Sequence, residues 1–299
     1  MTMATVSRDY GAVCTIPERT ATLDTTLFFD QSEVAETHSP LDQFLSNCLR
    51  LNALWLKATP GSPLGDILPE FANLLLLGYV SAVEGYMRSL IRRLIRIDPF
   101  MQQTCESFQV SFAAAIHHSK DQLPEALLEE TAFSSKKELS SGLTKFIGFQ
   151  SIPKSLVPHL DQYEQICQLR HCCVHRFGRL GAKNAVALGL GRHSGALGRS
   201  ITIRRAHLED ITDVLFTLVK AVNNEVCGFI LERAATAQLT PVSEKGVGWT
   251  WKWASDKRRF SAYYDVFATT LDAQKTPAVR ELYSRYASTF SAVGKKVKA

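Results

Sequence analysis

From position 39 onward, apolar residues recur at spacings of three and four, and this period divides the chain into helices. Ser39 suits an N-cap, Pro40 the first helical position and Asp42 the first turn. Leu41, Phe44, Leu45, Cys48, Leu51 and Trp55 then form one apolar stripe, which stops before the breaker Thr59-Pro60-Gly61-Ser62-Pro63. A long second helix is predicted over 69–97. Its middle is apolar nearly all round, so it is expected to run through the core. Further helices are expected over 105–117, 136–147 and about 159–173. A strong final helix over about 207–232 carries the stripe Ile211, Val214, Leu215, Leu218, Val222, Val226 and Phe229.

Two stretches break the pattern. Between Gly178 and Arg199 there are six glycines in 22 residues, which reads as a loop, with a short hairpin ending at Ser200-Ile201-Thr202-Ile203. After Pro241, Trp249, Trp251 and Trp253 alternate with polar residues, a strand-like period of two. Residues 258–292 then read as two helices broken near Thr276-Pro277. The predicted architecture is all-α: an up-and-down helical bundle over 39–235 with a small, mostly helical extension over 240–299. Residues 1–38 are rich in Thr, Ser, Asp and Glu without periodicity and read as a mobile acidic leader.

Composition changes this picture little. An apolar fraction of 45% and a charged fraction of 21% are those of a globular, soluble chain able to bury a sizeable core. No apolar run approaches the ~20 residues that span a bilayer. Residues 1–38 contain no h-region, so no membrane or secretory segment is expected. Seven scattered cysteines, several inside apolar helical patterns, suggest reduced, buried thiols and a cytoplasmic setting. The charge is uneven. The net +5 divides into +7 for 245–299 and −2 for the rest, with −4 in 1–38. A basic end is compatible with a phosphate-rich partner such as RNA, and equally with a solvated helix surface.

The most informative local feature is Gln168-Leu169-Arg170-His171-Cys172-Cys173-Val174-His175, an Arg and a His separated by four residues near the end of an amphipathic helix. With the Gly-rich loop and long helix that follow, it resembles the HEPN superfamily signature. His171 takes the polar place after the Arg, and Val174 precedes the His. Tyr79-Val80-Ser81-Ala82-Val83-Glu84-Gly85-Tyr86 resembles the earlier core helix of RiboL-PSP-like HEPN domains, where a Glu follows small and apolar residues. The resemblance covers roughly residues 39–235.

That resemblance implies metal-independent RNA cleavage by a homodimer that brings two Arg-His pairs into one cleft. Members of the family commonly act as toxins or anti-phage, abortive-infection effectors, so an antitoxin or defence-system protein is a possible partner. In this chain His175 would serve as general base or acid, Arg170 as phosphate clamp and Glu84 as the carboxylate that orients Arg170. His171 would hydrogen-bond the phosphate or hold His175. No cofactor is implied. Arg176, Arg179 and Arg192, and in the extension Lys257, Arg258 and Arg259, are candidate contacts to the RNA backbone.

Other readings of the same residues stand beside these. Arg and His favour the last turn of any helix because of its dipole. Glu84 has an ordinary i+4 partner in Arg88. Cys167, His171 and His175 share a helix face, but no second ligand pair accompanies them, so no metal is expected. Gly189–Gly195 lacks the Gly-Lys-Ser/Thr ending of a phosphate-binding loop. The three tryptophans pack the extension or stack bases, with packing preferred. Geometry sets a condition. Five residues turn an ideal helix by about 500°, so Arg170 and His175 point about 140° apart. They converge only if the helix ends between them or a second subunit contributes.

Overall fold

The computed structural model describes residues 11, 13–15, 23–30, 38–58, 67–117, 119, 122–236 and 248–296. The 59–63 breaker, most of the acidic leader and the 237–247 connection lie outside the described residues. Contacts divide the chain into two units, 1–37 and 38–299. In the first, the described residues include a 3₁₀ turn, Thr25–Phe28, capped by Asp24, whose carboxylate accepts from the Thr26 N–H at 3.0 Å.

The second unit is an all-α bundle, with no strand among the described residues. Its four long core helices are α1 (Pro40–Ala58), α2 (Pro69–Ile97), α7 (Val157–Arg176) and α10 (Arg205–Thr236). Their stripes dictate the packing. The α1 stripe of Leu41, Phe44, Leu45, Cys48 and Trp55 is buried, and so is most of the middle of α2 from Leu75 to Ile95. Arg93 donates to the His38 carbonyl while Tyr79 donates to Asn52, so α1 and α2 run antiparallel. Asn73 beside Gly178 and Glu84 near Arg170 set α2 antiparallel to α7. Ser155, just before α7, on Glu225 and the Ile201 N–H on the Gly178 carbonyl, just after α7, give α10 the opposite sense to α7. The order is therefore up-and-down, as the periodicity predicted. By length and composition α2 and α10 could each cross a membrane; both contribute buried residues to the core of this unit.

Between α2 and α7 lie α3 (Pro99–Cys105), α4 (Phe112–His117), α5 (Leu123–Ala126) and α6 (Lys136–Gly142), the last continuing as a π-helical turn, Leu143–Ile147. Of the helix expected over 105–117 only Phe112–His117 forms as α4; Cys105 ends α3, and 106–111 are non-helical. The Asp98-Pro99 pair that ends α2 also begins α3. Asp98, fully buried, accepts from the Phe100 and Met101 N–H groups at 2.8 and 3.0 Å. Arg233 of α10 pairs with the same carboxylate at 3.1 Å and donates to the Ile147 carbonyl at 2.9 Å.

The Gly-rich stretch is more ordered than a loop. It holds α8 (Ala182–Ala187), α9 (Leu190–His193) and a 3₁₀ turn, Ser194–Ala196. The expected hairpin reduces to one bridge between Arg179 and Ser200, which closes the stretch into a lasso. Leu180 and Ala185 are buried on Cys172 in a small core of their own, with Leu188, Ala196 and Ile201 against it. This satellite core binds the lasso to the end of α7.

The extension forms α11 (Trp253–Phe267) and α12 (Val279–Lys296). The strand expected at the tryptophans is absent. Trp253 begins α11, and Trp251 has φ 59°. The buried Asp256 carboxylate accepts from the Thr250 and Trp251 N–H groups and from the Tyr283 hydroxyl, at 3.1, 2.9 and 2.7 Å. A side chain thus takes the hydrogen bonds that a partner strand would have taken. Trp249 stacks near Trp251 and meets Phe260 and Tyr286 edge-on, so the tryptophans pack α11 and α12 together.

Candidate functional site

The site is built at the last two turns of α7. A polar relay fixes this helix against its neighbours. Glu164 accepts from the Lys136 N–H at 2.8 Å and from the Gln168 amide at 2.6 Å, and Gln168 in turn accepts from Asn184 of α8 at 2.9 Å. The helix runs unbroken through Arg176, then closes with Phe177 in the left-handed region (φ 51°, ψ 46°). Gly178, at φ 83°, donates to the Cys172 carbonyl at 3.0 Å. A Cβ at Gly178 would sit 2.9 Å from the Asn73 amide, so this position demands glycine both for its φ and for the close approach of α2.

Because α7 does not end between Arg170 and His175, the two side chains leave one continuous helix about 140° apart. Within a single chain they do not converge. Arg170 is half-buried toward α2 and His175 is exposed, with His171 half-buried between them. The His171 and His175 rings approach edge-on, 5.9 Å between centroids. His171 is held below the usual histidine range, first by burial, then by the Arg170 guanidinium and the neighbouring His175 ring, with Glu164 and Glu138 opposing. It is therefore a neutral acceptor at neutral pH.

Glu84 lies within electrostatic reach of Arg170. Burial pushes its carboxyl up, Arg170 and Arg88 pull it down, and Glu138 pushes it up again. Among the described residues neither arginine forms an ion pair with it at contact distance. Arg88, its helical neighbour, is engaged elsewhere, donating to the Leu128 and Thr131 carbonyls, both at 2.7 Å. Arg170 is the larger of the two cationic influences on Glu84. Glu138 completes the acidic backing and was not among the residues singled out by sequence. Its signal was Ser135-Lys136-Lys137-Glu138, a capping-box spacing, and Ser135 does cap α6 by accepting from the Glu138 N–H at 3.1 Å.

The residues expected to touch phosphates fall into two groups. Arg176, the last residue of α7, and Arg179 and Arg192 on the lasso are exposed beside the signature. Arg176 lies across Gly181, and Arg179 donates to the Gly198 carbonyl at 3.2 Å. From Arg170 to Leu208 the sequence contains eight Lys or Arg and no Asp or Glu. In the extension, Lys257 and Arg258 are exposed on α11. Arg259 is instead turned inward, with its guanidinium 4.2 Å from the centre of the Trp249 ring, where it serves packing.

Among the described residues no group of three or more His, Cys, Asp or Glu is placed to hold a metal ion. Cys167, the thiol one turn before His171, is fully buried and pushed up to about 12 by that burial. All seven cysteines are free. No protein-family model, curated protein or solved structure matches the chain.

Proposed function

We propose that this protein is a metal-independent endoribonuclease of HEPN type, acting as a homodimer. The observation that carries the reading is the juxtaposition at the end of α7. A half-buried Arg170 is backed by Glu84, two histidines share one face, and the stretch that follows is rich in cations and free of acids. RNA supplies its own nucleophile. One of His171 and His175, acting as neutral imidazole, removes the 2′-OH proton, O2′ bonds to phosphorus, and the P–O5′ bond breaks. The leaving oxygen takes a proton from the other histidine, acting as imidazolium, yielding a 2′,3′-cyclic phosphate and a 5′-hydroxyl. Arg170 stabilises the charge gathered on the phosphoryl oxygens. The angular separation of Arg170 and His175 is what makes a second copy necessary, since a two-fold axis beside α7 would set the Arg170 of one chain near the His175 of the other. A role as a toxin or anti-phage effector in the cytoplasm, with an antitoxin or defence-system partner, rests on the family resemblance alone.

The test is cleavage of RNA by the purified protein beside His175→Ala and Arg170→Ala, with and without EDTA. Both variants are expected to lose cleavage, and EDTA to leave the wild type unaffected. A His175→Ala protein that cut at the wild-type rate would refute the mechanism. That same separation of Arg170 and His175 favours a second reading, a non-catalytic RNA- or protein-binding module. It predicts steeply salt-dependent RNA affinity without cleavage.

A further inference from the structure

Phe177 is a side chain that the proposed chemistry does not use and that packing does not explain. It is 85% exposed, immediately after the His175-Arg176 pair. It also occupies the left-handed region, where an aromatic residue is strained. A buried ring would offset that strain through its contacts; this ring makes few. Its mount is nonetheless rigid. The N–H of Gly178 closes on the Cys172 carbonyl, that of Arg179 on Arg176, and that of Ile201 on Gly178, at 3.0, 3.1 and 2.8 Å. The backbone therefore holds an aromatic face out to solvent in one direction.

The surroundings say what the face would meet. Arg176 and Arg179 flank it in sequence and are exposed, Lys183 and Arg199 are exposed on the lasso that follows, and no acid occurs in the segment until Glu209. A polyanion would neutralise these cations. A fixed aromatic ring among phosphate-binding cations is the combination that grips single-stranded nucleic acid, because every unpaired base has a face to stack. Bases inside a duplex are already stacked and unavailable.

We infer that Phe177 is the platform on which an unpaired RNA base stacks beside the Arg170–His175 centre. This rests on the ribonuclease reading above and narrows it. The ring positions RNA and takes no part in proton transfer.

Binding of a fluorescent 2′-O-methyl RNA oligonucleotide, which lacks the nucleophile and stays intact, is measured by anisotropy. The full-length wild type is compared with Phe177→Asn and Phe177→Tyr, on the single strand and on its duplex. Asparagine tolerates the left-handed backbone, so the fold is kept while the ring is lost. Phe177→Asn is expected to weaken single-strand binding about tenfold or more, with duplex binding unchanged and Phe177→Tyr close to wild type. Equal single-strand affinity in Phe177→Asn would overturn the inference while leaving the ribonuclease reading intact. So would conversion of a dimer to monomers by Phe177→Asn with no change in RNA affinity, because the ring would then cover a second copy. A wild type that bound no RNA would overturn both.

Discussion

Burial shifts both His171 and Glu84, and Arg170 acts on each as the second cause. Arg170 lowers the pKa of each, adding to burial at His171 and opposing it at Glu84. Arg170→Gln should therefore raise both. Titration of the His171 ring protons by NMR should show the imidazole moving up toward its ordinary 6.5, and an unchanged value would place Arg170 too far away to matter. The same depression has a sign for stability. Below 6.5 the unfolded chain binds the proton that folded His171 refuses, so this group lowers stability as pH falls through 6.5 toward the folded pKa. Arg170 and His175 were singled out in sequence by their spacing, the helical context and Glu84 together. Phe177 was not, because nothing in the letters Arg-Phe-Gly says that the helix will close with the ring outside.

Among the elements, the joint between α1 and the α11–α12 connection shows how a distant segment is pinned. Asp42 is buried in the first turn of α1, and its carboxylate accepts from the Thr269 hydroxyl, the Thr270 N–H and hydroxyl, and the Leu271 N–H. Burial alone would raise its pKa, but these donors together outweigh it and leave the carboxyl below its ordinary 3.8. Asp42→Ala orphans those donors and should cost about 3 kcal/mol in urea denaturation. In the wild type this contribution is present above 3.8 and is lost as pH falls from there through the folded pKa. Asp42 was recognisable in sequence only as a helix-start acid. Its partners lie more than two hundred positions away, beyond the reach of any local pattern.

For the molecule as a whole, the C-terminal helices are part of the bundle. Residues 38–299 form one compact unit, and Phe260, Tyr263 and Phe267 of α11 are buried in the main core with Tyr283 and Tyr286 of α12. Truncation after residue 240 should therefore abolish cooperative thermal unfolding, and a calorimetric transition like that of the full chain would show the extension to be dispensable. For the same reason, RNA affinity lost on truncation would say nothing about Lys257 or Arg258. Single charge-reversal substitutions there are the cleaner probe.

The apolar period determined the all-α class, the limits of α2 and the core stripes of α1 and α10, because burying one face of a helix demands a repeat near 3.6 wherever the helix lies. The Arg-x₄-His spacing likewise placed candidate chemistry near the end of one helix. The tertiary structure decided the rest. It turned the Gly-rich loop into a lasso held by a few apolar residues on Cys172, and it replaced the expected strand with backbone bonds to Asp256. It also set Glu84 toward Arg170 and left His175 and Phe177 in solvent. Those outcomes depend on which residues meet across long stretches of chain, and such meetings leave no periodic trace in the sequence.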